Sequence, residues 1–436
     1  MKTDNMSIFK KNTDNGIKTN GRELSARRLM AIALGCFLGA SLVSTAVYMI
    51  TGYISNFAAA FFESVSAFTT TGSTVFTYPA YPVYLPSWLK VYRAFCQWAG
   101  GGATLVFLAC MLTSMDASKG GFTKAGSANG AIYRTGIRTV SIGRRLLLTY
   151  AILTVAEFLL LLVSGCSLLD SACMSLSTIS TGGFIPGAAL ANGISETIVV
   201  LFMIFTCLNY TLYYHAIKKH FDQFDKNTEL YALLFIIVGS SVLISISLVA
   251  SGTFGVAGAV ENSVFHSVSA LSTTGFVIAD TTSWPPFAQA LLTLLSFIGG
   301  STLSPAGGIK IMRIIVVLRL ISKSFTVRIH PKAVVTTKIN GRSMPSDTSS
   351  AMAIHFLTYF TFYLGGVFVL SFEAPDLLSS FTVTASLLNN VGTTFTGNIA
   401  FAQFSPVMLI LLSILMLAGR LELYAVLLPF SRNRNS

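Results

Sequence analysis

Long apolar windows without charged residues alternate with shorter polar segments along this chain of 436 residues. Each window has about 20 residues, the length that an α-helix needs to cross a hydrocarbon core of about 30 Å. The clearest windows are Leu29–Ile50, Ala94–Met115, Thr197–Ile217, Leu230–Ser251, Pro286–Ile309, Ala351–Phe372 and Phe404–Gly419, and an eighth, Leu146–Leu169, is interrupted only by Glu157. The pattern predicts an all-α membrane protein with eight spanning helices.

Four shorter apolar stretches of about 12 residues lie between these windows, and a helix of that length cannot cross the bilayer. We interpret them as re-entrant half-helices. Residues that favour a helix start stand near the beginning of each stretch, namely Ser55-Asn56, Asp170, Asn262 and Pro375-Asp376. Each stretch alone also fits an amphipathic surface helix or an extracellular loop, but four copies in equivalent places favour half-helices.

Each short stretch ends in hydroxyl or amide side chains followed by a glycine. The endings are Thr69-Thr70-Thr71-Gly72, Ser180-Thr181-Gly182-Gly183, Ser272-Thr273-Thr274-Gly275 and Asn389-Asn390-Val391-Gly392. A serine recurs at one fixed spacing before the last glycine, at Ser66, Ser177, Ser269 and Ser386, which selects Gly183 over Gly182 as the second equivalent. This internal repetition predicts four helix–pore-half-helix–helix repeats around a pseudo-fourfold pore.

The repeats divide the chain into four pore units and five polar segments. The pore units are 29–115, 146–217, 230–320 with an intramembrane loop at 299–310, and 351–430. The polar segments are 1–28, 116–145, 218–229, 321–350 and 431–436. Nearly all Lys and Arg residues lie in or beside these segments, so the positive-inside rule predicts that both termini are cytoplasmic.

Composition and charge agree with this topology. Charged residues make up 11% of the chain, against about 25% in a typical soluble protein. The net charge of +12 is explained by the cytoplasmic segments and requires no nucleic-acid partner. The predicted outer face carries acids that would concentrate cations at its mouth, namely Glu63, Asp170, Glu196, Glu261, Asp280, Glu373 and Asp376.

An enzyme is not predicted. The chain contains no HExxH, GxSxG or GxxxxGK[ST] motif. Its six cysteines lie in apolar surroundings without paired metal-ligand spacing, so we expect reduced packing residues. His266, inside a predicted half-helix, is expected to be a structural residue. No organic cofactor is expected.

The four glycine endings have the chemistry of a cation filter. A half-helix that ends at mid-membrane points the negative end of its dipole into the cavity, and a following glycine lets the backbone turn its carbonyl oxygens toward the axis. Irregular backbone at this depth is tolerated where it lines a wet cavity. The predicted filter for a dehydrated cation comprises Thr70, Thr71, Gly72, Thr181, Gly182, Gly183, Thr273, Thr274, Gly275, Asn390, Val391 and Gly392.

A gate is predicted on one side of this filter. The glycine-rich and proline-containing run at 299–310 cannot form a sound helix interior, and Arg420 is a charge deep in the last predicted span, directly after the charge-free window. The predicted gate residues are Gly299, Gly300, Ser301, Gly307, Gly308, Lys310 and Arg420. Alternatively, the run at 299–310 is a close helix-packing site or a simple kink. Arg420 could alternatively extend its side chain to the inner membrane interface. Glu157 fits either a buried partner or a subunit contact.

Six ordered motifs, spread over residues 29 to 430, carry a family resemblance. The first is Phe61 to Thr74 followed by Gln97-Trp98-Ala99-Gly100-Gly101, and the others end at Phe184, Phe276, Gly392, Lys310 and Glu422. Together they resemble the Trk/Ktr/HKT potassium transporter superfamily, specifically its TrkH/KtrB-like membrane subunits. The eight-window layout is closer to KtrB, whereas the filter sequences are more TrkH-like. Leu303 and Pro305 depart from the small residues and glycine usual in the family's gating loop.

The resemblance implies potassium uptake across a bacterial inner membrane through four Gly-centred loops, with the intramembrane loop and Arg420 as the inner barrier. It also implies a homodimer, one pore per protomer, on a cytosolic ring of nucleotide-binding regulatory subunits. Glycine at all four filter positions favours K+ over Na+. The alternatives are a sodium or non-selective cation conductor of the same fold, and an H+- or Na+-coupled K+ symporter, for which Glu157 is the candidate acid.

Overall fold

A computed structural model describes residues 26–76, 85–114, 139–185, 192–219, 222–225, 227–332, 336, 338–340, 342–397, 400–423 and 427. Helices dominate these residues and form four units, each with a leading helix, a short pore helix and a trailing helix. The leading helices are Ala26–Ile50, Thr139–Val163, Thr228–Ala250 and Ser346–Leu370. The pore helices are Phe57–Phe68, Leu168–Ser180, Val256–Leu271 and Leu377–Leu388. The trailing helices are Ser87–Ser114, Gly193–Cys207, Pro286–Phe297 and Pro406–Arg420.

The remaining elements are short, apart from one helix of 19 residues, Ile311–Ile329. The second trailing helix is continued by Tyr210–Ile217, and Asp222–Asp225 follows it. Thr281–Ser283 and Phe401–Gln403 are 3₁₀ turns. Two two-residue strands, Ile298–Gly299 and Ile309–Lys310, pair in parallel, and Lys338–Ile339 pairs antiparallel with Arg342–Ser343 to form a hairpin. The predicted all-α architecture of repeated helical units is the one observed. Residues 1–25 of the predicted segment 1–28, residues 116–138 of the segment 116–145 and the tail 431–436 lie outside the described residues.

The predicted count of eight spans is not reproduced by helix length alone. Five described helices are long and apolar enough to cross a membrane: Arg28–Ile50, Ser87–Met111, Ile142–Val163, Thr228–Ala250 and Thr348–Leu370. A sixth candidate is the pair Gly193–Cys207 and Tyr210–Ile217, which is bent by 94° at its break. The two remaining windows, Pro286–Ile309 and Phe404–Gly419, correspond to the shorter helices Pro286–Phe297 and Pro406–Arg420.

Three of the four trailing helices end after 12 to 15 residues. The prediction of a continuous helix over Thr197–Ile217 is therefore wrong. Leu208 is extended, and the Asn209 side chain accepts the Thr211 N–H at 3.0 Å, which starts a new helix in another direction. In the third repeat the chain leaves the helix at Phe297, where the glycine-rich run was predicted to break it.

The pore helices are capped by short polar side chains in three of four cases. The observed N-cap residues are Asn56, Ser167, Gly255 and Asp376. The predicted starts at Asp170 and Asn262 are wrong. Ser167 lies one turn before Asp170 and accepts its N–H at 3.1 Å, and Asn262 lies inside a longer helix with its amide bonded to the Gly258 carbonyl at 2.9 Å.

The leading helices separate the pore helices from the surroundings. Each leading helix packs against the pore helix of its own repeat and exposes large apolar side chains on its other side, such as Val43, Phe235 and Phe368. Apolar exposure of this extent on long helices indicates a lipid-facing surface. The pore helices and the loops that follow them are buried in the centre.

Candidate ion-binding site

The loop after each pore helix turns its amide N–H groups back onto that helix. The donors Thr71, Gly182, Thr274 and Val391 bond to the carbonyls of Ser66, Ser177, Ser269 and Ser386 at 2.9, 2.8, 3.1 and 2.9 Å. The preceding residues, Thr70, Thr181, Thr273 and Asn390, also donate to their own helix, at 3.0, 2.9, 3.1 and 3.2 Å. Because the N–H groups face the helix, the carbonyl groups between them face away from it.

Left-handed backbone occurs at two alternate positions in every loop. In the first loop φ is +54° at Thr70 and +87° at Gly72. The equivalent pairs are Thr181 (+60°) and Gly183 (+70°), Thr273 (+55°) and Gly275 (+75°), and Asn390 (+56°) and Gly392 (+82°). The predicted register of the four loops is confirmed, and Gly183 is the second equivalent glycine. Four loops of one conformation therefore present the same atoms.

The four loops close into a ring in chain order. A Cβ atom built on Gly72 would overlap the carbonyl oxygen of Gly182 in the second loop. The equivalent overlaps are Gly183 with Thr274, Gly275 with Val391, and Gly392 with Thr71. Each glycine therefore approaches the next loop closely, and the fourth approaches the first. Both the positive φ and this approach require glycine.

Buried carbonyl oxygens in this ring lack donors. Thr70, Thr181, Thr273 and Asn390 are fully buried, and no described residue donates a hydrogen bond to their carbonyl oxygens. Buried carbonyls in proteins ordinarily have partners. A dehydrated monovalent cation is a partner that such a ring can bind, and the C-terminal dipoles of four pore helices favour its charge.

The first loop is held by a buried ion pair that sequence reasoning missed. Arg93 Nε lies 2.6 Å from Glu63 Oε1, and both side chains are at most 1% exposed. Arg93 Nη2 donates to the carbonyls of Gly72 and Ser73, each at 3.2 Å. The prediction that Glu63 is an outer-face acid is wrong, because Arg93 neutralises it behind the loop. Its position inside a predicted half-helix was the signal for a buried partner.

The other loops are held by neutral groups. Gln97 Nε2 donates to the Gly182 carbonyl at 2.7 Å, and Ser177 Oγ donates to Gln97 Oε1 at 3.2 Å. Thr393 Oγ1 donates to the Gly275 carbonyl at 2.5 Å, and Ser73 Oγ to the Gly392 carbonyl at 2.9 Å. Only the first loop therefore has a charged support among the described contacts.

A Gln97→Leu variant is expected to lose about threefold to tenfold of its preference for K+ over Na+. The change leaves the buried Gly182 carbonyl without its donor, a loss of about 1–3 kcal/mol that lets the second loop move. Competing K+ and Na+ fluxes in proteoliposomes measure it. Gln289→Leu is the matched control, because among the described residues the Gln289 amide donates to the Thr281 and Thr282 carbonyls and not to a ring loop. Equal selectivity in the two variants would contradict the role of Gln97.

The intramembrane loop is a compact element stabilised from within. Its ends pair as parallel strands, Ile298 with Ile309 and Gly299 with Lys310. Lys310 Nζ donates to the carbonyls of Ala306 at 2.6 Å and Ser304 at 3.1 Å. A Cβ on Gly299 would overlap the Gly307 carbonyl oxygen, so these glycines allow the loop to fold tightly. The alternative of a simple helix kink is wrong.

The intramembrane loop directly contacts residues of the predicted filter. Thr273 Oγ1 accepts the Gly307 N–H at 2.7 Å, and Thr181 Oγ1 bonds to the Pro305 carbonyl at 3.4 Å. A Cβ on Gly307 would overlap the carbonyl oxygen of Asn389 in the fourth repeat. The loop therefore lies against three of the four filter loops.

The break in the second trailing helix also holds the intramembrane loop. The Ser301 N–H donates to the Cys207 carbonyl at 2.8 Å. Leu303 adopts a left-handed conformation, with φ of +60°, which is unfavourable for a bulky residue. Its side chain packs with Leu105, Ile179 and Tyr210, and this packing holds the strained position.

Arg420 reaches the intramembrane loop from the end of the fourth trailing helix. Its Nη1 donates to the Pro305 carbonyl at 2.7 Å and its Nε to Thr104 Oγ1 at 2.8 Å. The side chain is 3% exposed, so the alternative that Arg420 reaches the membrane interface is wrong. The nearby Glu422 forms an ion pair with Arg313, whose Nη2 lies 2.5 Å from Glu422 Oε2. Arg420 thus joins the fourth repeat to the loop of the third.

Two other polar candidates do not belong to the ring loops. Glu157 is fully buried in the second leading helix and faces Thr178 of the pore helix, and neither of its carboxylate oxygens lies at normal hydrogen-bond geometry to a described residue. Burial within one chain excludes the subunit contact considered for it. His266 Nδ1 bonds to the Asn262 carbonyl at 2.8 Å and its ring packs on Trp284, as expected for a structural residue. The described residues contain no cluster of three or more His, Cys, Asp or Glu residues able to hold a metal.

Comparisons with known proteins identify the family of this chain. The family described as TrkH, cation transport protein, matches residues 39–436. The Trk system potassium uptake protein TrkG of Escherichia coli (strain K12) is 27% identical over 432 residues, which cover 95% of this chain and 86% of TrkG. TrkH of Vibrio parahaemolyticus serotype O3:K6 is 30% identical over 381 residues, covering 85% of this chain and 78% of that protein.

A solved structure has the same fold. The crystal structure of the potassium transporter TrkH from Vibrio parahaemolyticus matches with a TM-score of 0.85 and 27% identity, covering 95% of this chain and 87% of that one. Family, relatives and fold thus agree over nearly the whole chain. The chain belongs to the TrkH family of cation transport proteins, which are transporters and not enzymes.

Proposed function

We propose that this chain takes up K+ through the ring formed by its four glycine loops. The observation that carries the proposal is the set of buried carbonyls at Thr70, Thr181, Thr273 and Asn390, which have equivalent positions and no described donor. The names of the relatives, potassium uptake proteins, support K+ as the ion. The ion is the only ligand that this chemistry requires, without an organic cofactor.

The intramembrane loop and Arg420 form the gate in this proposal. The loop contacts the filter threonines Thr181 and Thr273, so an ion leaving the ring meets it next. The Arg420 guanidinium carries a positive charge at the same place, which repels a cation while the loop is closed. The loop and this charge therefore each oppose the passage of a cation.

Conduction without coupling fits these residues better than symport. A coupled mechanism needs a titratable or ion-binding acid on the ion path, and Glu157 belongs to a leading helix and not to the ring loops. Sodium is the alternative ion. Glycine at all four ring positions leaves the ring without side-chain ligands at those positions, which favours selection by backbone carbonyls.

We place both termini, and the hairpin at 338–343, on the cytoplasmic side of a bacterial inner membrane. The support is the positive-inside rule together with exposed basic residues such as Lys218, Lys219 and Arg328. A homodimer and a cytosolic ring of nucleotide-binding regulatory subunits are proposed from the family resemblance. The membrane lipid covers the remaining apolar helix faces.

Ion flux into proteoliposomes that contain the purified chain tests the function. We expect K+ to move down its own gradient, with no imposed H+ or Na+ gradient, and to exceed Na+ flux. The same gene should restore growth of a potassium-uptake-deficient bacterium at low K+. Flux that requires an H+ or Na+ gradient would instead establish symport, and equal Na+ flux would establish a non-selective conductor. A folded, inserted chain without K+ flux in either assay would contradict the proposal.

A further inference from the structure

A buried carboxylate holds the intramembrane loop from the third repeat. Glu229 is fully buried in the first turn of the leading helix Thr228–Ala250. Its Oε1 accepts the backbone N–H of Thr302 at 2.5 Å and the Thr302 hydroxyl at 2.9 Å. Hydrogen bonds to a charged acceptor are stronger than those between neutral groups. Glu229 is therefore a strong anchor for the loop, at Thr302 and not at Pro305, which Arg420 bonds.

The position of Glu229 depends on two asparagines. Asn227 caps its helix by accepting the N–H groups of Glu229 and Leu230 at 3.0 and 3.2 Å. Asn340 Oδ1 accepts the N–H of Thr228 at 3.0 Å. Asn340 belongs to the turn of the hairpin Lys338–Ile339 and Arg342–Ser343, far away in sequence. The hairpin therefore supports the helix start that carries the anchor.

The same hairpin contacts the helix on the other side of the intramembrane loop. Ile339 is 2% exposed and belongs to a buried cluster with Met312, Val316 and Met352. Met312 and Val316 lie in Ile311–Ile329, which begins directly after the loop. The hairpin thus contacts both the helix that anchors Thr302 and the helix that continues from Lys310.

We propose that Glu229 is a positioning residue that latches the intramembrane loop shut, and that the hairpin at 338–343 controls this latch through Asn340. The proposal rests on the proposed function, because the latched state is the closed gate. Displacement of the hairpin removes the acceptor of Thr228, shifts the first turn of the helix, and withdraws Glu229 from Thr302. The loop then loses its anchor in the third repeat while Arg420 still holds Pro305.

Four variants test the latch in proteoliposomes. Glu229→Ala removes both bonds to Thr302, and we expect basal K+ flux to rise about tenfold. Glu229→Gln keeps an oxygen that accepts both bonds and should remain within about threefold of the parent flux. Asn340→Ala should raise flux less than Glu229→Ala. Asn192→Ala is the matched control, because Asn192 caps the second trailing helix by accepting the Ser195 N–H at 2.8 Å, away from the loop.

A second measurement distinguishes release of the intramembrane loop from a general destabilisation of the fold. The intramembrane loop bonds to the carbonyl of Cys207, whose side chain is fully buried, and Cys173 is equally buried in a separate cluster beside Phe184. A small thiol reagent is added, and peptide mass spectrometry measures how fast each of the two thiols is alkylated. We expect Glu229→Ala and Asn340→Ala to increase the alkylation of Cys207 and to leave the alkylation of Cys173 unchanged.

The outcomes that overturn the proposal are distinct. A Glu229→Ala variant with the parent's K+ flux and the parent's low alkylation of Cys207 would overturn the latch. An equal increase in the alkylation of Cys207 and Cys173 would overturn it too. An Asn340→Ala variant with the parent's K+ flux and Cys207 alkylation would overturn the proposal that the hairpin controls the latch. A parent chain that carries no K+ under any condition would contradict the proposed function, while the Cys207 measurement would still report whether Glu229 holds the loop.

Discussion

A Gly275→Ser variant is expected to lose at least about tenfold of its preference for K+ over Na+, equivalent to about 1.4 kcal/mol. A Cβ at this position overlaps the Val391 carbonyl oxygen of the next loop, and φ is +75°. The fourth loop must shift to accept the side chain, so its carbonyls no longer hold positions equivalent to those of the other three loops. Competing K+ and Na+ fluxes in proteoliposomes measure the ratio, and Gly183→Ser should behave alike.

Gly52→Ser separates crowding from backbone strain. Gly52 has the same φ of +75°, but no atom lies within 4 Å of its added Cβ. Both variants carry the cost of a left-handed serine, about 1–2 kcal/mol, and only Gly275→Ser disturbs the ring. Selectivity should therefore be unchanged in Gly52→Ser. Parental selectivity in a folded Gly275→Ser variant would contradict the assignment of the ring as the filter.

An Arg420→Ala variant is expected to raise basal K+ flux by about tenfold to a hundredfold. The change removes the bonds to Pro305 and Thr104, each worth about 1.5–3 kcal/mol for a charged donor, and it removes a positive charge from the gate. Both effects favour the conducting state. Flux through proteoliposomes without any cytosolic partner measures the basal rate, and tracer Rb+ serves as a check.

Two further variants separate the contributions of charge and hydrogen bonding. Arg420→Lys keeps the charge without the planar fork that reaches two acceptors, so we expect flux between those of the parent and Arg420→Ala. Arg328→Ala is the matched control, because Arg328 is an exposed arginine near the end of Ile311–Ile329. A fall in flux for a well-expressed Arg420→Ala variant would refute the gate.

The repeats and the register of the four loops could be predicted from the sequence because their causes are local. Apolar windows report burial in lipid or protein, and the serine-to-glycine spacing reports one backbone conformation. The left-handed φ values at Gly72, Gly183, Gly275 and Gly392 bear this out. The break at 299–310 was also visible, because glycine and proline disfavour helix wherever they stand.

Residue type predicted the starts of two pore helices and one helix break less well. Asp170 and Asn262 are good capping residues by type, but Ser167 and Gly255 precede them and begin the helices earlier. The window Thr197–Ile217 contains no glycine or proline, so composition predicted a continuous helix. Asn209 breaks it because its side chain caps the next turn, and the new direction lets the adjacent Tyr210 N–H bond to the Leu303 carbonyl of the intramembrane loop at 3.5 Å.

The sequence by itself determined the membrane class, the fourfold repetition and the conformation of each glycine loop, because hydrophobicity and backbone preference belong to neighbouring residues. Only the tertiary structure decided how the loops close into a ring and what supports them. Glu63 with Arg93, Glu229 with Thr302, and Arg420 with Pro305 join residues 30, 73 and 115 positions apart. No local pattern specifies such partners, because a buried charge is stabilised by whichever groups the folded repeats bring within hydrogen-bond distance.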